Sequence, residues 1–98
     1  EGVLLAAQAG SSVQAVHAGR VVFADWFGNS GLLLIIDHGD GYMSLYAHNQ
    51  QLFKAVGAAV EAGEKIAAVG NTGGQSEYGL YFEIRHNGKA ENPALWCK

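Results

Sequence analysis

The sequence carries one cysteine and one proline. A lone Cys excludes a disulfide framework and any cysteine-rich zinc site. Charge is also scarce: Asp, Glu, Lys and Arg make up 15% of residues, against about 25% in an average soluble domain. With 49% hydrophobic residues, that excludes a disordered chain, which would be charge-rich and poor in Leu, Ile, Val and Phe. Basic residues are outnumbered, six Lys and Arg to nine Asp and Glu, for a net charge of −3. A basic nucleic-acid-binding surface is thereby excluded. No apolar run approaches the roughly 18–20 residues that span a membrane. The sequence does not begin with Met and its first residues do not read as a signal peptide, opening instead on the strand-like Glu1-Gly2-Val3-Leu4-Leu5. The 98 residues are therefore expected to form one domain, residues 1–98, the C-terminal part of a longer protein.

Glycine is the residue in excess, with 14, about twice the usual share of roughly 7%. Apolar runs of five to eight residues alternate with Gly, Asn and Asp punctuation, the signature of an all-β chain. Arg20 to Trp26 is rich in β-branched and aromatic residues. Leu32-Leu33-Leu34-Ile35-Ile36 is apolar without alternation, as a central strand covered on both faces would be. Gly39-Asp40-Gly41 marks a hairpin turn and Asn87-Gly88 a second. Asn49 to Ala55 reads as a turn or a single helical turn, and Gly70 to Ser76 as a long polar loop. The predicted architecture is a single antiparallel sheet, curled or forming a partly open barrel.

Alternation along Tyr78 to His86 divides that strand cleanly. Leu80, Phe82 and Ile84 form a core set, each contributing roughly 1.5–3 kcal/mol on burial. Gly79, Tyr81, Glu83 and Arg85 form the opposite set. The same logic applied to the preceding hairpin, with His38 paired to Tyr42 and His48 to Leu32, points Met43, Leu45 and Ala47 into the core. Ser44, Tyr46 and His48 then face the other side. At about 3.4 Å per residue, His38 and His48 lie roughly 20 Å apart and cannot share a metal.

Chemical motifs are sparse. His17, His38, His48 and His86 show no metal-ligand spacing, whereas a catalytic zinc needs three converging protein ligands. No Gly-x-Ser-x-Gly elbow supports nucleophilic catalysis. The glycine-rich loop lacks the Gly-Lys-Ser/Thr ending of a phosphate cradle. Trp26 and Trp96 read as packing residues, and Cys97 as a partly buried thiol.

An ordered series of motifs nevertheless spans the chain. Val16-x-x-Gly19-Arg20-Val21-Val22-Phe23-Ala24 is followed by Ile36-Asp37-His38-Gly39-Asp40-Gly41-Tyr42 and Leu45-Tyr46-Ala47-His48. Val60-x-Ala62-Gly63-x-x-Ile66-Ala67-x-Val69-Gly70-x-Thr72-Gly73, Phe82-Glu83-Ile84-Arg85 and Asn92-Pro93 complete it. This series resembles the LytM-type, lysostaphin-like, zinc endopeptidase domain that cuts peptide cross-links in bacterial cell wall. Active members carry His-x-x-x-Asp, a Tyr-Ala-His-like motif and His-Leu-His-Phe-Glu. Here Leu4 stands where the resemblance implies a zinc-binding Asp, Gly79 where it implies a catalytic His, and Tyr81 where it implies a zinc-binding His. His48 survives at a position that assists catalysis, and the remaining ligand position falls before Glu1.

The resemblance therefore implies a degenerate domain, not an enzyme, with no metal and no cofactor. The pattern is most similar to EnvC-type murein hydrolase activators of Gram-negative bacteria. That similarity implies a periplasmic protein at the division site that activates N-acetylmuramoyl-L-alanine amidases for septal splitting. Its contact with the division machinery would run through an N-terminal coiled coil absent from this sequence. Leu4, Tyr46, His48, Gly79, Tyr81, Glu83 and Arg85 are expected to line the former substrate groove and meet the amidase. Plain packing remains the alternative for Leu4, Tyr46 and Tyr81, and an exposed ion pair for Glu83 and Arg85. Two other functions are distinguishable: a residual zinc endopeptidase, and a non-catalytic peptidoglycan-binding module.

Overall fold

The computed structural model describes residues 2–91; the expectations for Trp96, Cys97 and Asn92-Pro93 lie outside this range. Its elements are β1 (Val3–Ala6), β2 (Ser12–Gln14), β3 (Gly19–Trp26), a 3-10 turn (Gly28–Ser30), β4 (Leu32–Gly39) and β5 (Tyr42–Leu52). They continue with β6 (Ala59–Val60), β7 (Lys65–Val69), β8 (Gly79–His86) and β9 (Lys89–Glu91). Among the described residues nine strands join one antiparallel sheet, in the order β1-β8-β5-β4-β3-β6, with β7 linking β5 to β2 and β9 adding to β8. It does not close into a barrel. No helix among the described residues is long and apolar enough to cross a membrane.

The 11-residue β5 organises the sheet. Its first half lies between β4 and β8, and its second half turns to pair with β7. The stretch from Asn49 expected to be a turn is thus strand as far as Leu52. Through β7 and β2, this branch brings Val13, Ile66 and Val69 against Leu34, Ile36, Tyr46, Phe82 and Ile84, all buried. Leu34, Ile36, Ile66 and Ile84 are wholly inaccessible, each contributing roughly 1.5–3 kcal/mol through burial.

The β4–β5 hairpin keeps the expected register from Leu34–Tyr46 to Asp37–Met43 and departs from it at both ends. Gly39 pairs with Tyr42 and Asp37 with Met43, so His38 is the extra residue of a bulge. Asn49, not His48, pairs with Leu32. The expected facing of residues 43–46 is nonetheless inverted, while His48 lies on the groove side as expected. Ser44 and Tyr46 are buried in the core, while Met43 and Leu45 look outward. The reason is physical: the outer face of this sheet is itself apolar, so hydrophobicity along β5 does not discriminate between the two sides. A second bulge at Val22 offsets β3, with Val21 opposite Ile36 and Phe23 opposite Ile35. Val21 stays in the core, and Phe23 is re-aimed to the outer face. Trp26, expected to pack, is 54% exposed.

β1 is an edge strand, paired among the described residues only with β8. Val3, Leu4 and Leu5 are all exposed there.

Candidate functional site

The outer face of β8 carries the candidate site. Alternation there is as the sequence predicts: Phe82 and Ile84 are buried in the core and Leu80 packs half-buried against it, while Tyr81, Glu83 and Arg85 share the opposite face. The Tyr81 hydroxyl donates to Glu83 Oε1 at 2.9 Å and accepts the Gly2 backbone N–H at 3.0 Å. Arg85 Nε donates to Glu83 Oε2 at 2.6 Å. Glu83 is 4% exposed and thus has both carboxylate oxygens engaged. Burial, and then the hydrogen bond to Glu83, push the Tyr81 hydroxyl above its ordinary pKa, so it is a neutral donor. Glu83 and Arg85 are therefore not the freely exposed pair of the plainer reading: the carboxylate side is enclosed, and only the guanidinium reaches solvent.

Leu4 pairs with Tyr81 across β1 and β8 and is 56% exposed. Gly79 is buried, and a Cβ added there would stand 2.9 Å from the Leu5 carbonyl oxygen. Any side chain at this position requires the backbone to shift. His48 is 8% exposed, with its ring edge-on to Tyr81 at a centroid distance of 6.2 Å. Its Nδ1 lies 2.8 Å from the Thr72 carbonyl oxygen. The fold therefore gathers Leu4, His48, Gly79, Tyr81, Glu83 and Arg85 on one side.

Tyr46 does not join them. It is 1% exposed, and its hydroxyl accepts the Val16 N–H at 3.0 Å and lies 2.8 Å from the Ser44 hydroxyl. Ser44 in turn meets His38 Nε2 at 2.7 Å, while His38 Nδ1 faces the Ala18 carbonyl at 2.8 Å. Tyr46 thus belongs to a polar thread through the core. The same arrangement brings the His17 and His38 rings within 5.7 Å, a proximity that sequence spacing hides.

Beyond Arg85 the outer face continues as an apolar depression of about 320 Å³, lined by Phe23, Phe27, Leu33, Ile35, Met43, Leu45 and Arg85. Sequence reading missed these apolar residues as groove components. The unbroken apolarity of Leu32 to Ile36 was the available signal: it requires cover on both faces, and no helix among the described residues supplies it on the outer one.

The site's donor set does not suit a catalytic zinc ion. Leu4 offers only carbon, Gly79 has no side chain, and the Tyr81 hydroxyl is already committed on two sides. Among the described residues no three His, Cys, Asp or Glu side chains converge.

Comparison with known proteins places this geometry. The chain is 47% identical over 96 residues, 98% of its length, to the murein hydrolase activator EnvC of Escherichia coli. It is 43% identical over 97 residues, 95% of its length, to the murein hydrolase activator NlpD of the same species. It spans 23% and 24% of those relatives, about a quarter of each. The catalytic domain of the antimicrobial peptidase lysostaphin from Staphylococcus simulans superposes with a TM-score of 0.89 at 28% identity, over 96% of this chain and 75% of that one. The model of Peptidase family M23 matches residues 1–93, and the chain belongs to that family.

Proposed function

We propose that this chain is a catalytically inert M23 domain whose outer groove binds and activates a cell-wall N-acetylmuramoyl-L-alanine amidase. The observation that carries the reading is the Tyr81–Glu83–Arg85 chain of bonds. It occupies the strand where an active member would present its His-x-His pair, and it replaces metal ligands with a fixed guanidinium beside an apolar depression. Glu83 Oε2 accepts from Arg85 Nε and the Gly88 carbonyl oxygen accepts from Nη1 at 3.4 Å, leaving Nη2 for a partner carboxylate. Tyr and Arg are also the residue types that dominate binding hot spots. Similarity to two murein hydrolase activators supports the same reading. Murein lies outside the cytoplasmic membrane, so the proposed location is the periplasm, at the Gram-negative division site. Recruitment there would use a coiled coil outside this sequence.

The test is a sacculus-solubilisation assay with the full-length protein and each purified amidase of its organism. Parent protein should stimulate at least one amidase and release nothing alone. Tyr81→Ala and Arg85→Ala should each reduce stimulation by roughly tenfold or more, the effect of a hot-spot residue. Two well-folded variants that stimulate like the parent would refute the groove. Cross-link cleavage by the protein alone, with stoichiometric zinc, would instead establish an endopeptidase. Retention on sacculi without stimulation would establish a peptidoglycan-binding module.

A further inference from the structure

His48 occupies a conformation that the chain adopts only under constraint. Its φ is +67°, in the left-handed region, where non-glycine residues are uncommon and strained. The position is a bulge: Leu34 pairs with Tyr46 and Leu32 with Asn49, so two residues of β5 oppose Leu33 alone. Bulges re-aim side chains, and this one stands the His48 ring against Tyr81 on the groove side.

Once aimed, the ring is also fixed in protonation pattern. Nδ1 lies 2.8 Å from the Thr72 carbonyl oxygen. A carbonyl only accepts, so Nδ1 carries the hydrogen, and in the neutral ring Nε2 presents a lone pair. Nε2 makes no hydrogen bond among the described residues.

The Thr72 carbonyl is itself held from several directions. Thr72 Oγ1 donates to the Asn49 carbonyl at 2.6 Å and accepts the Leu32 N–H at 3.1 Å. Asn49 Nδ2 donates to the carbonyls of Leu32 and Tyr46 at 3.0 and 2.9 Å. The loop bearing Thr72 interlocks with the 3-10 turn through two glycines at positive φ, Gly31 and Gly73. A Cβ at Gly31 would collide with Thr72, and one at Gly73 with the Asn29 carbonyl. Backbone strain, a bulge and an interlocked loop converge on one imidazole and one tautomer.

We infer that His48 Nε2 is a hydrogen-bond acceptor presented to the groove, with Thr72 as its positioning residue. The partner supplies an N–H or O–H donor at that point: an amide, a hydroxyl or an ammonium. This inference rests on the reading that the groove receives an amidase, and it assigns the polar contact at the end of the site remote from Arg85.

Substitution separates the two nitrogens. In His48→Asn the side-chain amide reproduces the Nδ1 donor, and Asn tolerates positive φ better than most residues, but nothing replaces Nε2. His48→Gln can place an amide oxygen near the Nε2 position. In the sacculus assay with the full-length protein and its responsive amidase, His48→Asn should lose about tenfold in stimulation with an unchanged unfolding midpoint. A tenfold loss is about 1.4 kcal/mol. His48→Gln should recover part of that loss. Nitrogen-15 NMR of the His48 ring should show the Nδ1–H tautomer in the parent and in Thr72→Ser, and a mixture in Thr72→Val. Full stimulation by His48→Asn, or an Nε2–H tautomer in the parent, would overturn the inference while leaving the amidase reading intact. Absence of stimulation by the parent would instead remove the amidase reading, with the tautomer still deciding the Thr72 role.

Discussion

Tyr81 and Glu83, two residues apart on one strand, are joined hydroxyl to carboxylate at 2.9 Å. The bond turns what sequence alternation shows as two neighbouring polar residues into a single unit with Arg85. Tyr81→Phe keeps the ring and removes the link, leaving an enclosed carboxylate oxygen and the Gly2 N–H without their partner. Loss of a hydrogen bond to a charged group costs about 1.5–3 kcal/mol. Chemical unfolding should show a midpoint reduced accordingly. Stimulation of the amidase should fall less than for Tyr81→Ala, which also removes the ring.

Tyr46→Phe should behave in the opposite way. Its hydroxyl serves the Val16 N–H and Ser44 inside the core, so the expected cost is about 1–3 kcal/mol of stability. Amidase stimulation at low temperature should be unchanged. A variant that folds normally yet fails to stimulate would return Tyr46 to the groove.

His38 makes stability depend on pH. Burial lowers its pKa below the ordinary 6.5; the Ala18 hydrogen bond and Asp37 oppose this, and His17 adds to it. The unfolded chain therefore binds the proton more readily than the folded one. Stability contributed by neutral His38 is complete above 6.5 and is lost as pH falls through the folded value. Protonation would also place a second N–H on the nitrogen facing Ser44. Urea midpoints measured from pH 7.5 down to pH 5 should decline, and His38→Gln should flatten that decline.

Metal content offers an independent check on the inert reading. Purified protein, dialysed without chelator, should contain substoichiometric zinc by elemental analysis. Leu4→Asp with Tyr81→His should raise zinc binding without restoring cross-link cleavage. Gly79 would remain without an imidazole, and its backbone is too close to Leu5 to accept one unmoved.

The sequence made much of this readable, and its failures share one cause. β8 was legible because its two faces differ in kind: Phe82 and Ile84 are apolar, Glu83 and Arg85 are charged. β4 was legible as central because Leu32 to Ile36 has no polar side. Residues 43–46 of β5 were read backwards because Met43 and Leu45 line an exposed depression while Ser44 and Tyr46 find polar partners inside the core. Local hydrophobicity cannot rank two apolar faces. The bulges at Val22, His38 and His48 were invisible for a related reason: each inserts one residue whose side chain gives no local sign of the shift. Alternation put Gly79 and Tyr81 on the right face, but Leu4, and the reading of all three as lost ligands, came only through the resemblance, since a missing ligand leaves no pattern of its own.

The open flank of β1 governs how the chain behaves in concentrated solution. Its backbone is unpaired along that side among the described residues, and Val3, Leu4 and Leu5 stand exposed beside it. Such a strand is a template for another copy of itself. Prepared as the isolated segment at high concentration, the chain should add strand to strand and form oligomers, and a charged residue at Leu5 should suppress that growth.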